Sequence, residues 1–281
     1  KEDGVARHTS RRNTGVIHRP FYLDPVHKGK FARCAQESYG FWKEYAQEKN
    51  LPWKEIGTLE AALDEAGCAR LKKYKQWSLK HGMADKEVRL LSADETHALE
   101  PNVQCIGALL CSTDTAVDFG AFTRALKDDA QRQGVEFMFG CEVREVKEGE
   151  RQVEVSYKDG RKINARYLIN CAGGNALRIT HLVGIALEYA DINFRGEYLV
   201  VEGESARLAA RNIYSVPRHS EFPFLDPHYV VRYDGRVEIG PTAVPVFGPY
   251  AYRGVGSVLG KLAERPVLNK LKLCVNPEFL R

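Results

Sequence analysis

Residues 30–50 carry Phe31, Cys34, Ala35, Phe41, Trp42, Tyr45 and Ala46 at helical spacing, which predicts an amphipathic helix. Leu51-Pro52 ends it, because the residue before a proline is pushed out of the helical region. TLEAAL (58–63) suits a short strand running into a turn, residues 64–80 a charged helix, and SADETHALEP (92–101) a short helix stopped by Pro101. IGALLCS (106–112) is apolar throughout, as a buried strand is. DFGAFTRALKDDAQRQG (118–134) carries both helix signals: Asp118 can cap the first turn, and Gly134 suits a left-handed C-terminal residue. Phe119, Phe122, Ala125 and Leu126 give that helix one apolar stripe.

Downstream the period changes from helical to alternating. VEFMFGCEVREVKEG, QVEVSYKDG and RKINARYLINCAGG read as strands, with KDG as a hairpin turn. YLINCAGG (167–174) in particular predicts a buried strand opening into a glycine turn, with a helix from about Ala176. FRGEYLVVEG, NIYSVP and HYVVRYDGRVEIGPTA then give a mostly antiparallel second half, and residues 256–273 look helical. No internal repeat interrupts this order.

Composition narrows the class. The chain has 281 residues, 44% hydrophobic and 28% charged, as soluble globular domains have, and that length suits one large or two interleaved domains. Its 41 basic and 37 acidic residues are dispersed, so the net charge of +4 gives no reason to expect nucleic acid. Seven cysteines without a CxxC pair exclude a zinc ribbon or a disulfide framework and fit reduced thiols in the cytoplasm. No apolar run reaches the ~18–20 residues that span a bilayer. The start, KEDGVARH, lacks a signal-peptide core and begins abruptly in polar residues, as a fragment would.

Three places carry candidate chemistry. HTSRRNTGVIHRPFY (8–22) crowds polar side chains around residues worth burying, an elbow that must touch something polar. In YLINCAGGN a strand gives way to glycines and a helix N-terminus, which can point free amides at a phosphate; an ordinary strand-to-helix turn has the same letters. GVGSVLG (254–260) has the spacing GxGxxxG and no surrounding βαβ unit, so it reads as a structural turn. His18 and His228 lie in loops mixing polar and aromatic residues, where either a general base or a structural histidine fits. Arg195 interrupts an apolar strand in FRGEYLVV and needs an anionic partner. A bridge to Glu197 or Glu202 supplies one, and a substrate carboxylate supplies another.

Taken together, HTSRRNTGVIH, LPWKEIGTLEAA, EPNVQCIGALLCSTDTAVDF, YLINCAGG, INFRGEYLVV, NIYSVPRHSEFPFLDPHYVVRYDGRVEIGPTA and GPYAY resemble the FAD-dependent oxidoreductases of the D-amino-acid-oxidase type. Within that type the chain is most similar to the L-2-hydroxyglutarate oxidase/dehydrogenase group, in order and spacing over about residues 1–255. The resemblance implies an α/β fold: a Rossmann-like FAD-binding domain from 1–50 and 116–186, and an antiparallel β-sheet substrate domain from 51–115 and 187–255. Residues 256–281 would begin a C-terminal helical segment. It further implies that a strand–GxGxxG–helix unit precedes Lys1, leaving the FAD-binding domain incomplete.

In such proteins the elbow lies along the flavin, which implies contact by Thr9, Ser10, Asn13, Thr14 and Gly15. Cys171, Ala172 and Gly173 would approach the FAD phosphate, and the Val143 backbone the adenine. The implied reaction is oxidation of a small anionic 2-hydroxy acid to the 2-oxo acid, with oxygen or a quinone as final acceptor and a peripheral membrane contact compatible with either. His18 or His228 would be the base, and Arg195 with Tyr198 would hold the substrate carboxylate. Alternatives are a glycerol-3-phosphate or amine oxidase of the same superfamily, or a non-catalytic scaffold. Two departures stand out: Arg19-Pro20 replaces a small pair after the elbow histidine, and Asp226 replaces a glycine, which expects an extra cation and an extra anion near the active-site entrance.

Overall fold

The computed structural model describes residues 1–217 and 226–254. Along the chain run β1 (Val16–Ile17), α1 (Gly29–Glu48), β2 (Trp53–Glu55), β3 (Thr58–Ala62), α2 (Glu65–Lys80), β4 (Val88–Ser92), α3 (Ala93–Leu99), β5 (Gly107–Cys111) and β6 (Thr115–Val117). Then follow α4 (Phe119–Arg132), β7 (Val143–Glu148), β8 (Val153–Tyr157), β9 (Lys162–Ala165), α5 (Ala176–Leu182), β10 (Asn193–Arg195) and β11 (Leu199–Val201). The last described strands are β12 (Asn212–Ser215), β13 (His228–Val231), β14 (Val237–Gly240) and β15 (Val244–Val246).

These elements fall into two units. One comprises Lys1–Thr9, Lys127–Arg195 and Ala243–Arg281, the last described as far as residue 254; the other comprises Ser10–Leu126 and Gly196–Thr242. The division passes between Thr9 and Ser10 and between Arg195 and Gly196, so it is drawn at other points than the domain limits expected from the sequence.

The second unit is built on a seven-stranded sheet in the order β11-β14-β13-β12-β3-β5-β4. All its pairings are antiparallel except β12 with β3. Alternation along β3 sorts the faces: Leu59 and Ala61 join Ala108, Leu110 and Leu91 on one side, while Ala62 joins Leu109, Cys111 and Val88 on the other. Leu71 and Tyr74 of α2, and Phe21 from a 3-10 turn at Pro20–Tyr22, close over the second face. Leu59, Leu109 and Val88 are fully buried, each worth ~1.5–3 kcal/mol of hydrophobic transfer. A smaller sheet, β1-β6-β2, packs Val117 against Phe122 and Ala46.

The helix boundaries have local causes. Asp64 Oδ1 accepts the Gly67 amide at 2.7 Å at the start of α2, and Ser92 forms a capping box with Glu95 at the start of α3. Asp118 Oδ1 accepts the Ala121 amide at 3.1 Å, and Gly134 adopts φ +88°, the two ends expected for α4.

In the first unit, β7-β8-β9 form a meander with Gly160 at φ +88° in its turn, and β10 pairs with β15. Two expectations fail here. Only Val143–Glu148 of the segment 135–149 is a strand, and YLINCAGG is neither a strand nor buried: Tyr167 is 86% and Ile169 83% exposed. The reason is pairing. Strand backbone needs a neighbour to bond its amides and carbonyls, and no described strand pairs with residues 135–142 or 167–172. The stretch 256–273 and all of GVGSVLG beyond Gly254 lie outside the described residues. Among the described residues, no helix is long and apolar enough to cross a membrane, and no cluster of metal-binding side chains occurs.

Candidate active site

The chemistry of the second unit gathers where the elbow passes over the sheet. Gly15 sits at φ +73°, and a Cβ there would lie 2.6 Å from the Val117 carbonyl, so only glycine lets the elbow press against β6. Asn13 Oδ1 accepts the Gly15 amide at 2.9 Å, and Val117 donates its amide to the Gly15 carbonyl at 2.7 Å. Ser10 and Asn13 are exposed and Thr14 half-buried, and Ser10 and Asn13 line a cavity of about 260 Å³ floored by Trp42, Phe119 and Phe122.

Three residues on, this anchoring delivers His18 to Asp114, a fully buried carboxylate in the turn between β5 and β6. His18 Nδ1 lies 2.8 Å from Asp114 Oδ2, which also accepts the Thr58 hydroxyl at 2.7 Å. Asp114 Oδ1 accepts the Arg19 amide at 2.7 Å, and the Cys111 thiol lies 3.5 Å away. Asn212 reinforces the set, its amide donating to Thr58 Oγ1 at 3.4 Å while its oxygen accepts the Val231 amide at 3.0 Å. A carboxylate only accepts hydrogen bonds, so the imidazole proton is held on Nδ1 and Nε2 is left with a free lone pair. That nitrogen stands 3.5 Å from the Tyr214 hydroxyl, at the outer limit of hydrogen bonding.

Tyr214 brings the two candidate histidines together. His228 stacks on its ring at 4.1 Å and 17°, and His18 meets its edge at 5.7 Å. His228 is buried and donates Nδ1–H to the Asp226 carbonyl at 3.0 Å. Burial lowers its proton affinity; the Asp226 carbonyl partly offsets this, and nearby His18 adds to it. The Tyr198 ring stands 6.1 Å from His228 and packs against Gly240, where a Cβ would come within 2.7 Å of it. Burial raises the Tyr198 hydroxyl to about 12, with Glu238 adding to the rise and Arg232 opposing it. It raises Tyr214 further still, with the Asp114 anion second, so both hydroxyls remain neutral donors near neutrality.

The expected extra cation at the entrance is corrected by the structure. Arg19 is buried; its guanidinium donates to Glu87 at 3.1 Å and to Gln36 at 2.9 Å and lies 4.0 Å over the Tyr39 ring. It is consumed by structural pairing. Asp226 presents its backbone carbonyl to His228.

The remaining predicted residues belong to the first unit. Thr9 is exposed, and the Val143 backbone pairs with Tyr157 in the meander. Arg195 Nη1 donates to the carbonyls of Ala251, at 2.9 Å, and Gly254. Cys171, Ala172 and Gly173 form an exposed turn in which Asn170 acts as a staple, donating to the Ala176 carbonyl at 2.8 Å and accepting the Ala172 amide at 3.2 Å. Gly173 has φ +56°, and a Cβ there would meet nothing within 4 Å. Beside the turn opens a cavity of about 440 Å³ walled by Gly174, Asn175, Arg178 and His181. Open glycine backbone next to the Arg178 guanidinium is a combination that can hold a nucleotide phosphate.

Sequence reasoning missed Asp114, Thr58, Tyr214 and Glu60. An acidic residue between two threonines reads as a turn, and only its zero exposure reveals it as a buried anion.

The family described as DAO, FAD dependent oxidoreductase, matches residues 1–265. The mitochondrial L-2-hydroxyglutarate dehydrogenase of Mus musculus is 30% identical over 264 residues, covering 90% of this chain and 56% of its own. The L-2-hydroxyglutarate dehydrogenase of Escherichia coli K12 is 27% identical over 254 residues, covering 90% and 58%. The chain thus spans little more than half the length of these relatives. Among solved structures, the dithionite-reduced L-alpha-glycerophosphate oxidase of Mycoplasma pneumoniae, with FAD bound, superposes with a TM-score of 0.73 at 23% identity, covering 89% of this chain and 65% of its own. Glycine oxidase of Geobacillus kaustophilus gives 0.70 at 18%, covering 85% and 62%. On the match over nearly its whole length, this chain belongs to the DAO family of FAD-dependent oxidoreductases.

Proposed function

We propose that this chain serves FAD-linked oxidation of an L-2-hydroxy acid, with L-2-hydroxyglutarate as the substrate and oxygen or a quinone as the final acceptor. The names of its relatives support the substrate class, and the His18–Asp114 pair carries the chemistry. FAD, when bound, supplies the hydride acceptor for the substrate C2–H bond. His18 Nε2 takes the proton of the C2 hydroxyl. Asp114 fixes the tautomer that leaves Nε2 able to do so and stabilises the imidazolium that results, the relation a buried carboxylate has to a catalytic histidine elsewhere.

His228 is a poorer base, because burial disfavours its charged form; its ring holds Tyr214 in place by stacking. Tyr198 and Tyr214, as neutral donors, orient the substrate, and Arg195 takes its carboxylate through the paired donors of the guanidinium. Thr9, Ser10, Asn13, Thr14 and Gly15 lie along the cofactor, Cys171, Ala172 and Gly173 approach its phosphate, and the Val143 backbone its adenine. The open turn at Gly173 supports the phosphate assignment.

Anaerobic mixing of the flavin-loaded protein with candidate substrates tests the proposal. Bleaching of the flavin band by L-2-hydroxyglutarate, and its absence with the D enantiomer, is expected. Bleaching by glycerol 3-phosphate or an amino acid instead contradicts it.

A further inference from the structure

Across the sheet that carries the site runs one row of side chains on the same face. Tyr198 lies against Gly240, Gly240 pairs with His228, His228 stacks on Tyr214, and Tyr214 pairs with Glu60, which in turn pairs with Leu109. Glu60 is the place where this polar row meets the apolar cluster of Phe21, Leu71, Tyr74 and Leu109. It is 6% exposed, in the middle of β3, where a carboxyl has no packing advantage over a valine.

While β5 presents Leu109, four other elements around Glu60 present it with polar or charged groups. The 3-10 turn offers Tyr22 and α2 offers Arg70 and Tyr74. The β5–β6 turn offers Asp114, and β12 offers Tyr214. Arg70 donates to the Pro217 carbonyl at 2.9 Å, and its charge acts on both Tyr74 and Glu60.

We propose that Glu60, with Arg70, is the specificity-determining group of this site: it recognises the end of the substrate remote from the reacting carbon and selects a second carboxylate there. This deepens the 2-hydroxy acid reading and rests on it. The geometry supports the selection: Glu60 is one strand, about 4.8 Å, beyond Tyr214, whose hydroxyl faces His18 Nε2. A substrate held by His18 at its hydroxyl extends along the row toward Glu60. Burial, with the Asp114 anion adding and Arg70 opposing, raises the Glu60 carboxyl to about 8. Near neutrality it is therefore an O–H donor beside a guanidinium, a pairing that favours an anionic oxygen and disfavours a methyl group.

The test compares flavin reduction by L-2-hydroxyglutarate and by L-2-hydroxyvalerate, which has the same carbon chain without the second carboxylate. With the holoenzyme, kcat/KM is expected to favour the diacid by ~10–100-fold, the range for a hydrogen bond to a charged group. That preference falls as pH rises through about 8, when Glu60 ionises. Both acids share the hydroxyl and first carboxylate, so titration elsewhere in the site cancels in the ratio. In Glu60→Gln the preference is retained and its pH dependence disappears. In Glu60→Leu and Arg70→Met the preference collapses toward unity. Equal losses for both acids, or a pH dependence that survives Glu60→Gln, overturn the proposal and leave Glu60 a structural residue. Equal rates with the two acids in the unaltered holoenzyme overturn this proposal alone, whereas reduction by neither acid overturns it together with the reading on which it rests.

Discussion

Asp114→Asn isolates the orientation of His18 with little change of shape. In the parent, Asp114 accepts hydrogen bonds from His18 Nδ1, the Arg19 amide and the Thr58 hydroxyl, at 2.8, 2.7 and 2.7 Å. An asparagine can keep its oxygen on the Arg19 amide only by turning its NH₂ toward His18 and Thr58. Thr58 adapts by rotating its hydroxyl. His18 adapts only by moving its proton to Nε2, which makes the nitrogen facing the substrate a donor in place of an acceptor. Losing a correctly disposed base costs ~10²–10⁴ in rate, with the wrong-tautomer case near the upper end. Replacing charge-assisted bonds by neutral ones at a fully buried position costs about 2–4 kcal/mol of stability. Stopped-flow flavin reduction at saturating substrate reads the first effect, and denaturant unfolding reads the second. A variant that reduces flavin at close to the parent rate refutes the assignment of Asp114, whatever its stability.

Other perturbations have equally definite outcomes. Gly15→Ala places a Cβ 2.6 Å from the Val117 carbonyl at φ +73°, so unfolding should show a loss of at least ~1–3 kcal/mol; an unchanged midpoint contradicts the pressed elbow. At Gly173 a Cβ meets no atom within 4 Å but φ is +56°, so Gly173→Val should fold with stability lowered by ~1–3 kcal/mol yet purify without FAD, and normal flavin content removes the turn from the phosphate site. Glu60 titrates near 8 in the fold against 4.5 in its ordinary state, so between those values the folded chain holds a proton that the unfolded chain has released. The Glu60 contribution to parent stability therefore declines as pH rises through that window, while that of buried His228 moves the other way, and Glu60→Gln, which has no such proton, gains on the parent by an amount on the order of 4 kcal/mol. A gap that stays constant with pH contradicts the buried-acid assignment.

The parts of the fold legible in the sequence are those whose signals are local. The helices α1 and α4 announce themselves by spacing, and α4 also by the cap at Asp118, which the structure forms as a hydrogen bond within the first turn. The segments 135–142 and 167–172 have equally strong apolar patterns and are not strands, because a pattern reports what a segment could bury and not which neighbour completes its backbone bonds. The site divides in the same way. His18 and His228 could be named from their surroundings in sequence and Tyr198 from the family resemblance, but the choice between the histidines required Asp114, which lies 96 residues from His18 along the chain. Glu60 was visible in TLEAAL as one polar letter in a strand, yet its significance comes from Tyr22, Arg70, Tyr74 and Tyr214, which only the sheet register and the packing of α2 assemble.

The central claim, that His18 oriented by Asp114 removes the hydroxyl proton, is tested most directly by anaerobic single-turnover flavin reduction with L-2-hydroxyglutarate in His18→Ala and His228→Ala. The account predicts a loss of ~10²–10⁴ in the limiting rate for His18→Ala at unchanged flavin content, and for His228→Ala a weaker substrate affinity or lower stability with a limiting rate near the parent's. A His18→Ala protein that reduces its flavin at the parent rate, or a His228→Ala protein that bears the larger loss, would contradict it.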